Sequence, residues 1–187
     1  MNLGQTMITM GMFVLLVMSV ISANRMLLQN TEVNLQTEAL NESAIIANDF
    51  FQEALGKKFD AHADSSGTQG PFEFSSPSGG TPGDWGPSSE ESSAVGALPD
   101  SSYLANYRSK LAYNDVDDYR GYTRIVSADT SGGIRIGGFL VTVRVFYVTS
   151  TYPDIAVNYQ TNFKKIEVDV EHPQYLQKVT YTSLMSY

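Results

Sequence analysis

Three closely spaced aspartates, Asp115, Asp117 and Asp118, form the clearest candidate in the sequence for a chemical site. Clustered carboxylates can bind calcium, which prefers a shell of oxygen ligands. The EF-hand pattern is absent, because neither its glycine nor its final glutamate stands at the required position. The other interpretation is an exposed turn, whose acids accept backbone hydrogen bonds or pair with Arg120 and Arg124. We favour the turn and keep calcium binding as the alternative.

Other catalytic signatures are missing from the sequence. The two histidines, His62 and His172, stand alone, without the serine and acid that would suggest a catalytic triad. His172 precedes Pro173 at an expected strand end, which favours a structural role. There is no phosphate-cradling Gly-Lys loop, and the lack of cysteine excludes a thiolate metal site or nucleophile. We therefore expect neither an enzyme nor a cofactor.

The acidic charge of the chain argues against one class of partner. The formal net charge is -8 at pH 7. Binding to nucleic acid requires a basic patch that neutralises phosphates. We expect no nucleic-acid partner.

The N-terminal stretch is apolar enough to enter a membrane. No acidic or basic side chain precedes Arg25, and the stretch from Met7 to Ala23 is almost wholly apolar. A bilayer-spanning helix needs about 20 such residues. A signal peptide would instead show basic residues before a shorter apolar run, and a cleavage site after it. The sequence therefore favours a helix that remains part of the working protein.

The apolar stretch continues without a break into an amphipathic one. No proline occurs between Asn24 and Asp60, and Gly56 is the one glycine there. Apolar residues recur at helical spacing at Val33, Leu40, Ala44, Ala47, Phe51 and Leu55, which predicts one buried stripe. Acidic residues at Glu32, Glu38, Glu42, Asp49 and Glu53 are assigned to the remaining surface. We predict one long helix over 5–60, with 5–28 against lipid or other chains.

The middle of the chain, 61–102, is rich in Gly, Pro and Ser and is predicted to be a loop. Phe72, Phe74 and Trp85 are unusual in a plain linker. We expect these aromatic side chains to pin the loop onto the domain, and contact with another subunit is the alternative.

Four segments of 103–187 have the pattern of strands. Their ranges are 122–128, 139–148, 164–171 and 178–187. In the third, Ile166, Val168 and Val170 are predicted to face inward, and Lys165, Glu167, Asp169 and Glu171 outward into water. The expected fold class is α+β: a long N-terminal helix packed against an antiparallel sheet of about four strands.

Two regions of the sequence resemble type IV pilins and pilin-like proteins. The start "MNLG", followed by "QTMITMGMFVLLVMSVI", is similar to a prepilin leader and its apolar helix. "NDVDDYRGYTR" and the final "TNFKKIEVDVEHP" and "QKVTYTSLMSY" are similar to segments of minor pilins. The resemblance implies a leader, 1–4, cut between Gly4 and Gln5. This chain has Gln5 and Thr9 where the family usually has Phe and Glu.

The resemblance implies a structural subunit of an extracellular, type IV pilus-like filament on the cell surface. Its partners would be copies of itself, the inner membrane before assembly, the pilus assembly machinery and a prepilin peptidase. The side chains implied in polymerisation are Thr9, Met12, Phe13, Leu16, Val20, Met26 and Leu27. Two alternatives stay open: a minor pilin or secretion-system pseudopilin, and a membrane-anchored protein presenting a binding domain.

Overall fold

The structure is a computed structural model of the whole chain, and it describes residues 3–61, 70–71, 74–77, 85–96, 99–102 and 107–187. The helices are α1 (Leu3–Leu55), α2 (Ser89–Val95) and α3 (Ser109–Ala112), with a 3₁₀ helix at Asp117–Tyr119. The strands are β1 (Asp100–Ser102), β2 (Thr123–Val126), β3 (Phe139–Tyr147), β4 (Phe163–His172) and β5 (Leu176–Ser186). The fold class α+β and the long N-terminal helix are therefore confirmed.

The chain divides into two compact units, Met1–Glu38 and Ala39–Tyr187. The described part of the first unit is entirely helical and belongs to α1. The second unit contains the rest of α1, the shorter helices and the sheet. Only the second unit has a hydrophobic core among the described residues.

The sheet has five strands in the order β1-β2-β3-β4-β5. The four predicted strands form the expected antiparallel meander. The prediction of an antiparallel sheet of about four strands was wrong in one respect, because β1 adds a fifth, parallel strand beside β2. Three residues without alternating apolar side chains give no period-two signal, so sequence patterning could not find β1.

The segment predicted as a loop also contains the helix α2. Ser88 caps this helix, since its side chain accepts a hydrogen bond from the backbone N–H of Glu91. The Glu91 carboxylate in turn accepts one from the N–H of Ser88 at 2.9 Å. This reciprocal pair is a capping box, and its Ser-x-x-Glu spacing is visible in the sequence. The Gly, Pro and Ser content around it hid that signal.

The core lies between the sheet and the second-unit part of α1. The inward side chains of β3 are Phe139, Val141, Val143, Val145 and Tyr147, all buried as predicted from their alternation. Alanines at positions 39, 47 and 54 of α1 belong to the same core cluster as these valines.

The predicted apolar stripe of α1 was wrong in its rotation. Of the six residues assigned to it, Ala47 is buried and Phe51 is half-buried; the others, Val33, Leu40, Ala44 and Leu55, are exposed. The buried residues are Ala39, Glu42, Ser43, Ile46, Ala47, Phe50 and Ala54. Neighbouring apolar pairs such as Phe50 and Phe51 allow more than one rotation. The polar pair Glu42 and Ser43 faces inward because the segment between β2 and β3 and the strand β5 supply hydrogen-bond partners for it.

The predicted wet face of β4 is also largely covered. Lys165 and Asp169 are buried, at 8% and 7% exposure, although both were expected to face water. Asp169 accepts hydrogen bonds from Thr180 at 2.6 Å and from Arg144 at 3.0 Å. Burial opposes ionisation of Asp169, but the Thr180 bond and the positive charges of Arg144 and Lys178 outweigh it and lower its pKa. The outer face of the sheet is thus a network of charged pairs.

Candidate functional site

The first candidate site is the exposed apolar part of α1. All seven side chains implied in polymerisation, from Thr9 to Leu27, are exposed. Phe13 is 68% and Leu16 61% exposed, which is unusual for side chains of this size. Apolar residues surround this part of the helix on every side, a pattern found in helices buried in a membrane or among other helices.

The length and composition of α1 suffice to cross a bilayer. An 18-residue window of the helix has a mean hydropathy of 2.1, and none of it is buried in the described structure. A signal sequence would meet the same criterion of length and composition. By length and composition the helix has the capacity to span a membrane, and the described residues do not cover its apolar surface.

The predicted processing residues lie in the first turn of α1. Gly4 has open space around it, since apart from its chain neighbours and the backbone of its own helix no atom lies within 4 Å of the position where a side chain would begin. Thr9 donates its hydroxyl proton to the backbone carbonyls of Gln5 and Thr6, each at 3.0 Å. Its hydroxyl oxygen keeps free lone pairs, so Thr9 can still accept a hydrogen bond from an amine.

The aspartate cluster is buried, so the expectation of an exposed turn was wrong, whereas the backbone hydrogen bonds that we expected as one alternative are present. Asp115, Asp117 and Asp118 are each 3% exposed or less. Asp118 accepts the backbone N–H of Asn114 at 2.9 Å, and Asp115 accepts that of Asp117 at 2.9 Å. These hydrogen bonds to backbone N–H groups stabilise the turn that leads into the 3₁₀ helix.

The cation that pairs with this cluster is Lys164 of β4. Its ammonium donates to Asp117 Oδ1, to Asp60 Oδ2 at 3.0 Å, and to the carbonyl of Phe59 at 2.6 Å. Lys164 and Asp60 are both completely buried. An ammonium thus already pairs with Asp117 Oδ1. The described residues contain no group of three or more acidic, His or Cys side chains arranged to hold a metal.

Aromatic rings surround the Lys164 ammonium. The ring centres of Phe59, Tyr147 and Trp85 lie 4.5, 5.0 and 5.3 Å from its nitrogen. Such rings attract a cation through their negative faces. Trp85 stacks on Tyr147 at 4.7 Å, and Phe74 is buried beside Phe59. Phe74 and Trp85 therefore pin their segment onto the domain as predicted, whereas Phe72 lies outside the described residues.

Burial changes the acidity of the cluster. Desolvation raises the pKa of Asp117 to about 8 despite the charge of Lys164, and it raises that of Asp115 to about 7 with the help of Asp118. Asp117 Oδ2 has no hydrogen-bond partner among the described residues. One carboxyl group of the cluster is therefore poorly stabilised as an anion.

A second buried charged cluster, within the Ala39–Tyr187 unit, joins the C-terminal part of α1 to β2. Arg124, with no exposed surface, donates to Glu53 at 2.8 Å. Glu53 also accepts from Ser109 and from the hydroxyl of Tyr119, each at 2.8 Å. Burial, followed by the charge of Glu53, raises the pKa of Tyr119, so this hydroxyl remains a donor. We had assigned Glu53 to the surface, and helical period alone gave no signal of its inward orientation.

Glu42 is another buried acid that we had assigned to the surface. Its carboxylate accepts the backbone N–H groups of Arg135 at 2.6 Å and Ile136 at 3.0 Å. Replacement of Glu42 by alanine should lower the free energy of unfolding by about 1–3 kcal/mol, because two backbone donors lose their partner. Urea unfolding followed by the fluorescence of Trp85, the single tryptophan, measures this loss.

The matched control is Glu42→Gln, which keeps an acceptor oxygen and should lose less stability than the alanine variant. Equal losses in the two variants would contradict a role for these hydrogen bonds.

The two histidines provide no catalytic site among the described residues. His172 accepts the backbone N–H groups of Gln174 and Tyr175, each at 3.2 Å, and its other ring nitrogen lies 3.2 Å from the carbonyl of Gly137. These bonds close the turn between β4 and β5, which is the structural role that we expected. His62 lies outside the described residues.

Comparisons of this chain with protein-family models, with curated proteins and with solved structures found no match.

Proposed function

We propose that this protein is a structural subunit of an extracellular, type IV pilus-like filament that polymerises through the apolar part of α1. The observation that supports this proposal most is the exposure of an uncharged apolar helix next in the chain to a unit with its own closed core. A helix of this kind can be stored in a membrane and later packed among copies of itself. Lipid tails are as apolar as leucine, so close packing has to drive that transfer.

Phe13, near the middle of the apolar part of α1, provides the test. Phe13→Asp should abolish filaments, because a carboxylate among packed helices would lose its hydration without gaining a partner. The measurement is electron microscopy of material sheared from cells that express the full-length protein. The fold of the Ala39–Tyr187 unit should be unaffected, since Phe13 lies outside it.

Phe13→Leu is the control, because it keeps an apolar side chain and should still permit assembly. Normal filaments from Phe13→Asp would contradict the proposal. The number of copies in purified filaments separates a major subunit from a minor pilin or pseudopilin, each of which would be present in few copies.

The neighbourhood of Thr9 supports a second candidate, a membrane-anchored protein that presents a binding domain. Threonine has no charge with which to neutralise the N-terminal amine of a neighbouring subunit, and its proton is used within its own helix. This candidate predicts that the protein stays in the membrane fraction and is absent from sheared material. The mass of the mature N-terminus adds a direct test, because a filament subunit of this family would begin at Gln5.

A further inference from the structure

The buried cluster around Lys164 brings together the three groups that an amide condensation requires. An amine, Lys164 Nζ, touches one carboxyl group, Asp117, and lies 3.0 Å from a second, Asp60. These three side chains are at most 2% exposed. The proposed filament function does not involve these three side chains.

The two carboxyl groups differ in their surroundings. Asp60 accepts the backbone N–H of Ser75 at 3.0 Å, its hydroxyl at 3.0 Å and the hydroxyl of Tyr147 at 3.0 Å. These donors stabilise a carboxylate, so Asp60 is suited to accept a proton. Asp117 Oδ2 has no such donor among the described residues, and burial raises the Asp117 pKa to about 8. Asp117 is therefore suited to be the neutral acid, which an amine can attack.

The surroundings also favour the condensed product. The rings of Phe59, Trp85 and Tyr147 cover the nitrogen, so water has little access to reverse the reaction. A buried ion pair carries a desolvation cost on both charges, whereas an amide carries no net charge. Condensation would therefore replace two buried charges by an uncharged amide, which has the smaller desolvation penalty.

We propose that Lys164 and Asp117 form an intramolecular isopeptide bond, with Asp60 transferring the protons. The Lys164 ammonium gives one proton to the Asp60 carboxylate. The neutral amine then adds to Cγ of the protonated Asp117 carboxyl group. Asp60 returns this proton to the hydroxyl group of the tetrahedral intermediate, which leaves as water when its C–O bond breaks. The Asp60 carboxylate then takes the second proton from the nitrogen, which leaves a neutral amide and a protonated Asp60. One Nζ–Cγ bond forms, one water molecule leaves, and no atom changes its oxidation state.

The bond would join β4 to the 3₁₀ helix across 47 residues of sequence. A covalent link of this span restricts the unfolded chain and therefore stabilises the folded one. The residues that form the bond all lie within the Ala39–Tyr187 unit. A test of the bond is therefore independent of the filament proposal.

The test is a tryptic digest of the denatured full-length protein, analysed by mass spectrometry. Cleavage after Lys and Arg places Asp117 in peptide 111–120 and Lys164 in peptide 145–165 when Lys164 is protected by the bond. We expect these two peptides to appear as one linked species, lighter than their sum by one water molecule. Fragmentation of that species should assign the link to Lys164 and Asp117. Because the readout is confined to these peptides, cleavage at Gly4 does not affect it.

Lys164→Arg and Asp117→Ala should each abolish the linked species, whereas Lys165→Arg, a change at the adjacent lysine, should retain it. Asp60→Asn should leave the peptides mostly unlinked, and near-ultraviolet circular dichroism shows whether that variant still has a folded core. Separate peptides from the wild-type protein, or a link from Lys164 to Asp60 instead, would overturn the proposal. An unchanged yield of the link in folded Asp60→Asn would overturn the role of Asp60 in proton transfer.

Discussion

Replacement of Glu53 by alanine is expected to lower the free energy of unfolding by about 3–5 kcal/mol. The side chain of Glu53 is 3% exposed and that of Arg124 is completely buried. Removal of the acid leaves the guanidinium in the interior with its nearest remaining acid, Asp49, at 3.5 Å. Ser109 and Tyr119 also lose the acceptor of their hydroxyl groups. Urea unfolding of the full-length protein in detergent, followed by Trp85 fluorescence, measures the effect.

Two further variants sharpen this test. Glu32→Ala, at an exposed position of the same helix, should change stability very little. The double variant Glu53→Leu with Arg124→Met should recover a large share of the loss, because it removes both charges together and keeps the volume. A loss in Glu53→Ala as small as that in Glu32→Ala would refute the structural role of the pair.

The second large effect is expected from Phe50→Ala, which should also lower the free energy of unfolding by about 3–5 kcal/mol. Phe50 has no exposed surface and meets the ring of Tyr119 edge to face at 5.1 Å. Its ring also lies 5.1 Å beneath the guanidinium of Arg124. The alanine would leave a cavity and remove part of the cover over the buried charge, so the cost combines packing and electrostatics.

Phe51 provides the matched control for Phe50, since it is the adjacent phenylalanine on the same helix and is half-buried. Phe51→Ala should cost clearly less in the same unfolding assay. If Phe51→Ala costs as much as Phe50→Ala, the rotation of α1 described above is incorrect.

Local patterns predicted the elements better than they predicted the site. The alternation of β3 identified its buried face correctly, because side chains of a strand point alternately to its two sides. The same rule failed for the outer face of β4, where Lys165 and Asp169 are covered by partners on other strands and loops. Periodicity assigns a side chain to a face, but the neighbours on that face decide whether water reaches it.

For the candidate sites, too, local sequence located the residues but did not identify their partners. Composition alone located the apolar helix, and spacing alone drew attention to Asp115, Asp117 and Asp118. Neither could find the partner of the aspartates, since Lys164 is 47 residues from Asp117 and 104 from Asp60 in the sequence. Arg124 was one of the two arginines considered as partners of these acids, and it pairs with Glu53 instead, 71 residues away.

The sequence by itself located the long helix and the strands β2 to β5, and it determined that residues 3–24 are uncharged and mostly apolar. These properties follow from residues close together in the chain, whose periods and polarity are local. The tertiary structure alone decided how α1 is rotated and which buried charges meet. Those outcomes depend on packing among distant segments, because a charge enters a protein interior only where the fold supplies a partner to offset its lost hydration.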